Sequence, residues 1–170
     1  MADPEELARA RLRLLELLRT RAYERRTVTL ASGRVSDFYI DGKQVVLSAE
    51  GHWLTGTLLY DAIRREAPEA RAVGGMTMGA DPLVSAVSLL SWERGAPLAG
   101  FYVRKEPKGH GTGQWIEGRK GLGDGTAVVI VEPDPARDNV PVQVLDFIVS
   151  SLIARSESRA LGDAAEQQVP

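Results

Sequence analysis

Hydrophobic positions recur along this chain with two periods, and the switches between them outline its elements. In "MADPEELARARLRLLELL", Leu7, Ala10, Leu14, Leu15 and Leu18 fall on one face at helical spacing, Asp3 can cap the helix, and Pro4 suits its first position. The arginines between them read as a solvated face. A turn-like "ASGRVSD" (31–37) leads into "FYIDGKQVVL", whose aromatic and branched residues predict a hairpin around Gly42. From Ser48 the rhythm becomes helix to Arg65, strand in "RAVGGM", helix from Pro82 to Trp92, strand in "LAGFYVRK", loop, and strand in "AVVIVE". That alternation predicts an α/β fold, a parallel sheet flanked by helices, and places a ligand at the carboxyl ends of the strands. Farther on, Leu145, Ile148, Val149 and Leu152 return to helical spacing, so 142–156 reads as an amphipathic helix covering the sheet, with no strand pattern after it. The end "SRALGDAAEQQVP" reads as frayed.

Composition narrows the class. At 170 residues, 44% hydrophobic and 26% charged, the chain predicts one domain with a real core, too polar for a membrane protein. A formal charge of -2 argues against general attraction to nucleic acid or anionic lipid and favours a small ligand. With no cysteine, disulfides, thiolate metal sites and cysteine nucleophiles are excluded. The N-terminal stretch begins with acids and alternates Arg with Leu, unlike the apolar core of a secretory signal, so the expected location is cytoplasmic.

Candidate chemistry concentrates in "FYVRKEPKGHGTGQWIEGRKGLGDG" (101–125). As far as Gly123 it carries five Lys or Arg against two Glu, a local net of +3, and its first cations directly follow a strand. Such a stretch suits an anion. Arg104 can clamp a phosphate at two points, Lys105 and Lys108 supply point charges, and His110 can donate or change protonation near neutral pH. Glycines at 109, 111 and 113 let the arm bend as a lid over a charged substrate. A solvated surface loop is the competing reading.

The order "SGRVSDFYID" (32–41), "RKEPKGHGTGQWIEG" (104–118) and "VVIVE" (128–132) resembles bacterial orotate phosphoribosyltransferase over roughly residues 5 to 132. The resemblance implies a type I phosphoribosyltransferase fold with a small N-terminal hood and an atypical C-terminal part. As one domain over 1–170, it would comprise a helix and hood (1–47), a sheet core (48–132) with a flexible basic loop (104–123), and a divergent tail (133–170). It also implies transfer of phosphoribosyl from phosphoribosyl pyrophosphate to orotate in pyrimidine synthesis, with Mg²⁺ bound through the pyrophosphate and no metal site of the protein's own. A homodimer is implied, with neither nucleic acid nor membrane as a partner. By resemblance, Lys108 and His110 act catalytically on the lid, and Arg104 and Lys105 contact the pyrophosphate. Glu132 would hold the ribose, while Ser32, Gly33, Arg34 and Ser36, with Phe38 and Tyr39, form the hood over the pyrimidine. Phe38 and Tyr39 serve equally well as core aromatics.

Departures from the family pattern are as specific as the matches. Val35 and Met78 stand where the family usually has lysine, although Gly74, Gly75 and Gly79 still allow backbone N–H groups to approach a pyrophosphate. Met76 and Met78 read as core packing. After "VVIVE" the family continues with a second acid and a Thr, Thr, Gly type loop around the 5′-phosphate. Here Pro133, Pro135 and Pro141 remove N–H donors, no threonine follows Thr126, and sixteen of the seventeen glycines lie at or before 125. Three readings follow: an orotate phosphoribosyltransferase; a non-catalytic relative, or one whose tail arose by a reading-frame change near codon 132; and a nucleic-acid module using the basic loop. Trp115 alone is too little for the stacking platform the third requires.

Overall fold

The computed structural model describes residues 3–29, 33, 35–106 and 115–131, and the backbone of 154–156. Helix α1 (Pro4–Leu17) begins as its sequence predicts, with Asp3 accepting from the Glu5 N–H and Pro4 in the first turn, and runs into a π-helical turn, Leu18–Ala22. Ala10, Leu14, Leu17 and Leu18 are buried, whereas Leu15 is 40% exposed, so the buried stripe is narrower than the sequence spacing suggests. Nor are the arginines all simply solvated. Arg13 donates through Nε and NH2 to the two carboxylate oxygens of Glu50, at 2.6 and 3.1 Å, tying α1 to helix α3 (Ala49–Glu66).

Short strands β1 (Tyr23–Glu24), β2 (Val28–Thr29), β3 (Val35–Ser36) and β4 (Tyr39–Ile40) follow, with β1 pairing β4 and β2 pairing β3, all antiparallel. The hairpin expected around Gly42 therefore lies earlier. Lys43–Val46 form helix α2, because Val45 and Val46 turn into the core against α3 rather than pairing edgewise. Ser48 caps helix α3 (Ala49–Glu66), its Oγ accepting from the Gly51 N–H at 3.2 Å.

The central sheet has strand order β7-β6-β5-β8-β9. Its middle three strands, β5 (Ala72–Met76), β6 (Ala99–Val103) and β8 (Val128–Ile130), are parallel; β7 (Ile116–Glu117) and β9 (Ala154–Ser156) add antiparallel edges. Helix α4 (Asp81–Glu93) connects β5 to β6. Alternation along β8 sends Val129 and Val131 to the core under α3 and α4, with Leu59, Ile63, Val84 and Val87, while Val128 joins Phe101 and Ala72 on the opposite face. Apolar residues on both faces are what a parallel sheet requires. A second cluster, Leu14, Leu17, Val45, Leu54 and Leu58, holds α1 and α2 to α3.

Strand β9 corrects the helix expected over 142–156 at its last three residues; the residues after 156, where no strand was expected, lie outside the described residues. The remainder of 142–156 lies outside them too. Three residues carry too few positions for a period-2 signal to appear in sequence.

Candidate functional site

Register places the ends of the parallel strands together: Met76 lies opposite Val103, and Gly74 lies opposite both Phe101 and Ile130. The carboxyl ends of β5, β6 and β8 thus form one edge, where a ligand was expected. The turn after β5 is pinned at both feet. Thr77 donates its N–H to the Val103 carbonyl at 2.9 Å, and Ala80 donates to the Met76 carbonyl at 3.0 Å. Asp81 then opens α4, whose N-terminal dipole favours an anion nearby. Within this turn Met78 is 82% exposed, which overturns its reading as a core residue; the pinned turn projects it outward, past the last buried position at Gly75.

Gly74 and Gly75 prove to be packing glycines in β5 rather than members of the phosphate turn. A Cβ on Gly74 would come within 2.3 Å of the Phe101 ring, and one on Gly75 within 2.1 Å of the Val131 carbonyl oxygen. Gly79, exposed in the turn itself, stays where a phosphate could approach.

Arg104 and Lys105 follow directly after β6 at this edge. The Arg104 N–H donates to the Trp115 carbonyl at 2.8 Å, and its NH1 donates to Glu117 Oε1 at 3.1 Å. Its Nε is enclosed and finds no acceptor. Lys105 is exposed in the bend that follows. At the start of α4, Asp81 has an Oδ1 that is enclosed without a hydrogen-bond partner, and its charge reaches Tyr102 on β6. The Tyr102 hydroxyl is pushed above its ordinary value, first by burial and then by Asp81, since both disfavour the phenolate.

Among the residues expected to form a hood, Gly33 has φ +82°, a left-handed conformation that favours glycine. Phe38 is half-buried, its ring stacked on Tyr23 with centroids 5.8 Å apart, and the Arg26 guanidinium lies 4.5 Å from the centre of the half-buried Tyr39 ring. Ser36 is buried and donates to the Phe38 carbonyl at 2.8 Å, which fixes this short loop. Arg104 and Lys105 are therefore brought to the sheet edge, whereas Gly33 and Phe38 lie apart from it, among the short antiparallel strands β1 to β4. Ser32, Arg34, Lys108, His110 and Glu132 lie outside the described residues.

Sequence reading passed over Glu117, Asp81 and Tyr102 as site residues. For Asp81 a signal was present, an acid immediately before the proline that starts a helix. For Glu117 there was none, because its place depends on the pairing of β6 with β7.

No family model matches the chain. The orotate phosphoribosyltransferase of Sorangium cellulosum is 52% identical over 125 residues, covering 74% of this chain and 65% of the relative. Among solved structures, Mycobacterium tuberculosis orotate phosphoribosyltransferase in complex with Fe(III) dicitrate is 31% identical with TM-score 0.58, over 82% of this chain and 75% of that one. The same organism's enzyme in complex with 5-phospho-alpha-D-ribosyl 1-diphosphate is 28% identical with TM-score 0.55, over 85% and 77% of the two chains. The chain spans 57% to 66% of the length of curated relatives that it matches.

Proposed function

The chain belongs to the orotate phosphoribosyltransferase family, and on that premise we propose that it transfers phosphoribosyl from phosphoribosyl pyrophosphate to orotate, giving orotidine monophosphate and pyrophosphate. What supports the reading is the position of Arg104 and Lys105 at the carboxyl edge of a parallel sheet, beside the pinned turn 77–80, in a chain so similar to orotate phosphoribosyltransferases. A relative with the same fold is solved with the diphosphate substrate bound.

The reaction asks for little covalent chemistry. Breaking the ribose C1′ bond leaves an oxocarbenium-like centre and a pyrophosphate, so the protein has to hold charge, orient the base and exclude water. Arg104 and Lys105 would take the pyrophosphate, assisted by Lys108 and His110 from the basic loop. Glu132 would hold the ribose hydroxyls, and Ser32, Gly33, Arg34 and Phe38 would cover the pyrimidine. Mg²⁺ bound to the diphosphate would supply positive charge for the leaving group. The unpartnered carboxylate oxygen of Asp81 is the kind of hard donor that suits it. Assembly as a homodimer in the cytoplasm completes the proposal. No described helix is long and apolar enough to cross a membrane.

A second reading, a relative that binds the diphosphate without turnover, is favoured by one feature. Pro133 follows Glu132, and no glycine lies between Gly125 and Gly162, where the 5′-phosphate needs backbone donors. Orotate consumption with phosphoribosyl pyrophosphate and Mg²⁺ decides between them. Turnover that falls in Lys108→Ala and His110→Ala supports the enzyme; binding without turnover supports the second reading, and neither would reject both.

A further inference from the structure

We propose that Glu117 is a positioning residue for Arg104, fixing its guanidinium at the sheet edge for an incoming diphosphate. The inference rests on the diphosphate chemistry proposed for this edge, and it gives a role to a residue which that chemistry leaves unassigned.

The geometry follows from register. Glu117 on β7 pairs with Tyr102 on β6, so the two side chains share a face of the sheet. Arg104 lies two residues beyond Tyr102 and returns to that same face, diagonal to Glu117, within the reach of long side chains across neighbouring strands. The backbone on both sides of this contact is tied: the Arg104 N–H bonds the Trp115 carbonyl at 2.8 Å, and Val103 pairs with Ile116. NH1 of Arg104 then donates to Glu117 Oε1 at 3.1 Å. With Nε enclosed and unpartnered, this carboxylate is, among the described residues, the side-chain acceptor that orients the guanidinium, leaving NH2 for an oxyanion.

A carboxylate beside an anion site has an electrostatic cost, because it subtracts from the positive field. It is offset only if orienting Arg104 matters more, since a planar fork placed in advance loses less freedom on binding than one that must be found. Stability gives Glu117 little other reason to be there. The two side chains are 39% and 42% exposed, and pairs so open to solvent contribute little to folding.

The test is calorimetric titration of the full chain with phosphoribosyl pyrophosphate and Mg²⁺, in wild type, Glu117→Gln, Glu117→Asp, Arg104→Ala and the double variant Glu117→Gln/Arg104→Ala, with thermal melting of each. Glu117→Gln should weaken binding by about tenfold, as expected for losing a charge-assisted contact that orients a ligand group, while Glu117→Asp restores most of the affinity. In the Arg104→Ala background the Glu117→Gln change should have no further effect, and melting should stay close to that of wild type. Unchanged or tighter binding by Glu117→Gln would show the acid to be a mere counter-charge and overturn the proposal. So would an equal loss with and without Arg104. A wild type that binds no diphosphate rejects the function proposed for the edge itself, and this role with it, whereas a binding wild type with an insensitive Glu117 rejects this role alone.

Discussion

At the residue scale, Gly74 packs directly against the Phe101 ring in the sheet. The ring occupies the space a Cβ would need, so Gly74→Ala should destabilise the protein by about 1–3 kcal/mol, the usual range for overpacking, read as a lower midpoint in chemical denaturation. Nearer the candidate site, Tyr102 titrates above its ordinary value of 10.0 because burial and then the charge of Asp81 oppose ionisation. Asp81→Asn should therefore lower the Tyr102 pKa without returning it to that value, since burial persists; ultraviolet titration of the phenolate checks this. Arg104→Ala should weaken phosphoribosyl pyrophosphate binding at least about tenfold, in line with loss of a charge-assisted contact, and an unchanged affinity by calorimetry would remove Arg104 from the site. Residue identity was legible in sequence for Arg104 and Lys105, which follow a strand at the expected edge. It was not for Met78, whose apolar chemistry suggested a core position although the turn that holds it faces outward.

Between elements, α1 and the end of α4 are joined by a hydrogen-bonded ion pair from Arg94 NH2 to Glu6 Oε1. The Glu6 carboxyl is held below its ordinary value of 4.5, mainly by the Arg94 hydrogen bond, with burial opposing and the Arg94 charge assisting. A carboxylate whose folded pKa is depressed stabilises the fold above its unfolded value and loses that contribution as pH falls through the folded one. Arg94→Ala should thus cost about 0.5–1 kcal/mol at pH 7, and the difference from wild type should shrink as denaturation is repeated at pH values progressively below 4.5. Ser48→Ala removes the side-chain acceptor at the start of α3 and should cost about 1 kcal/mol, seen in the same denaturation curves at neutral pH. Of these two contacts, only the second was foreshadowed in sequence, where the helical rhythm starts at Ser48; the first joins residues 88 apart and has no local signature.

For the whole molecule, the order of helices and strands was legible because each element carries its own period: 3.6 where one stripe is buried, and short apolar runs where both faces of a parallel strand are covered. The basic stretch beginning at Arg104 was equally visible, since charge composition needs no fold to be read. What only the tertiary structure decided are the antiparallel edges β7 and β9, the packing role of Gly74 and Gly75, and the pairing of Arg104 with Glu117. Each depends on which strands lie side by side and in what register, and register is set by contacts between segments far apart in the chain. Sequence periodicity fixes the face a residue occupies on its own element, but the neighbour it meets there comes from the assembled sheet.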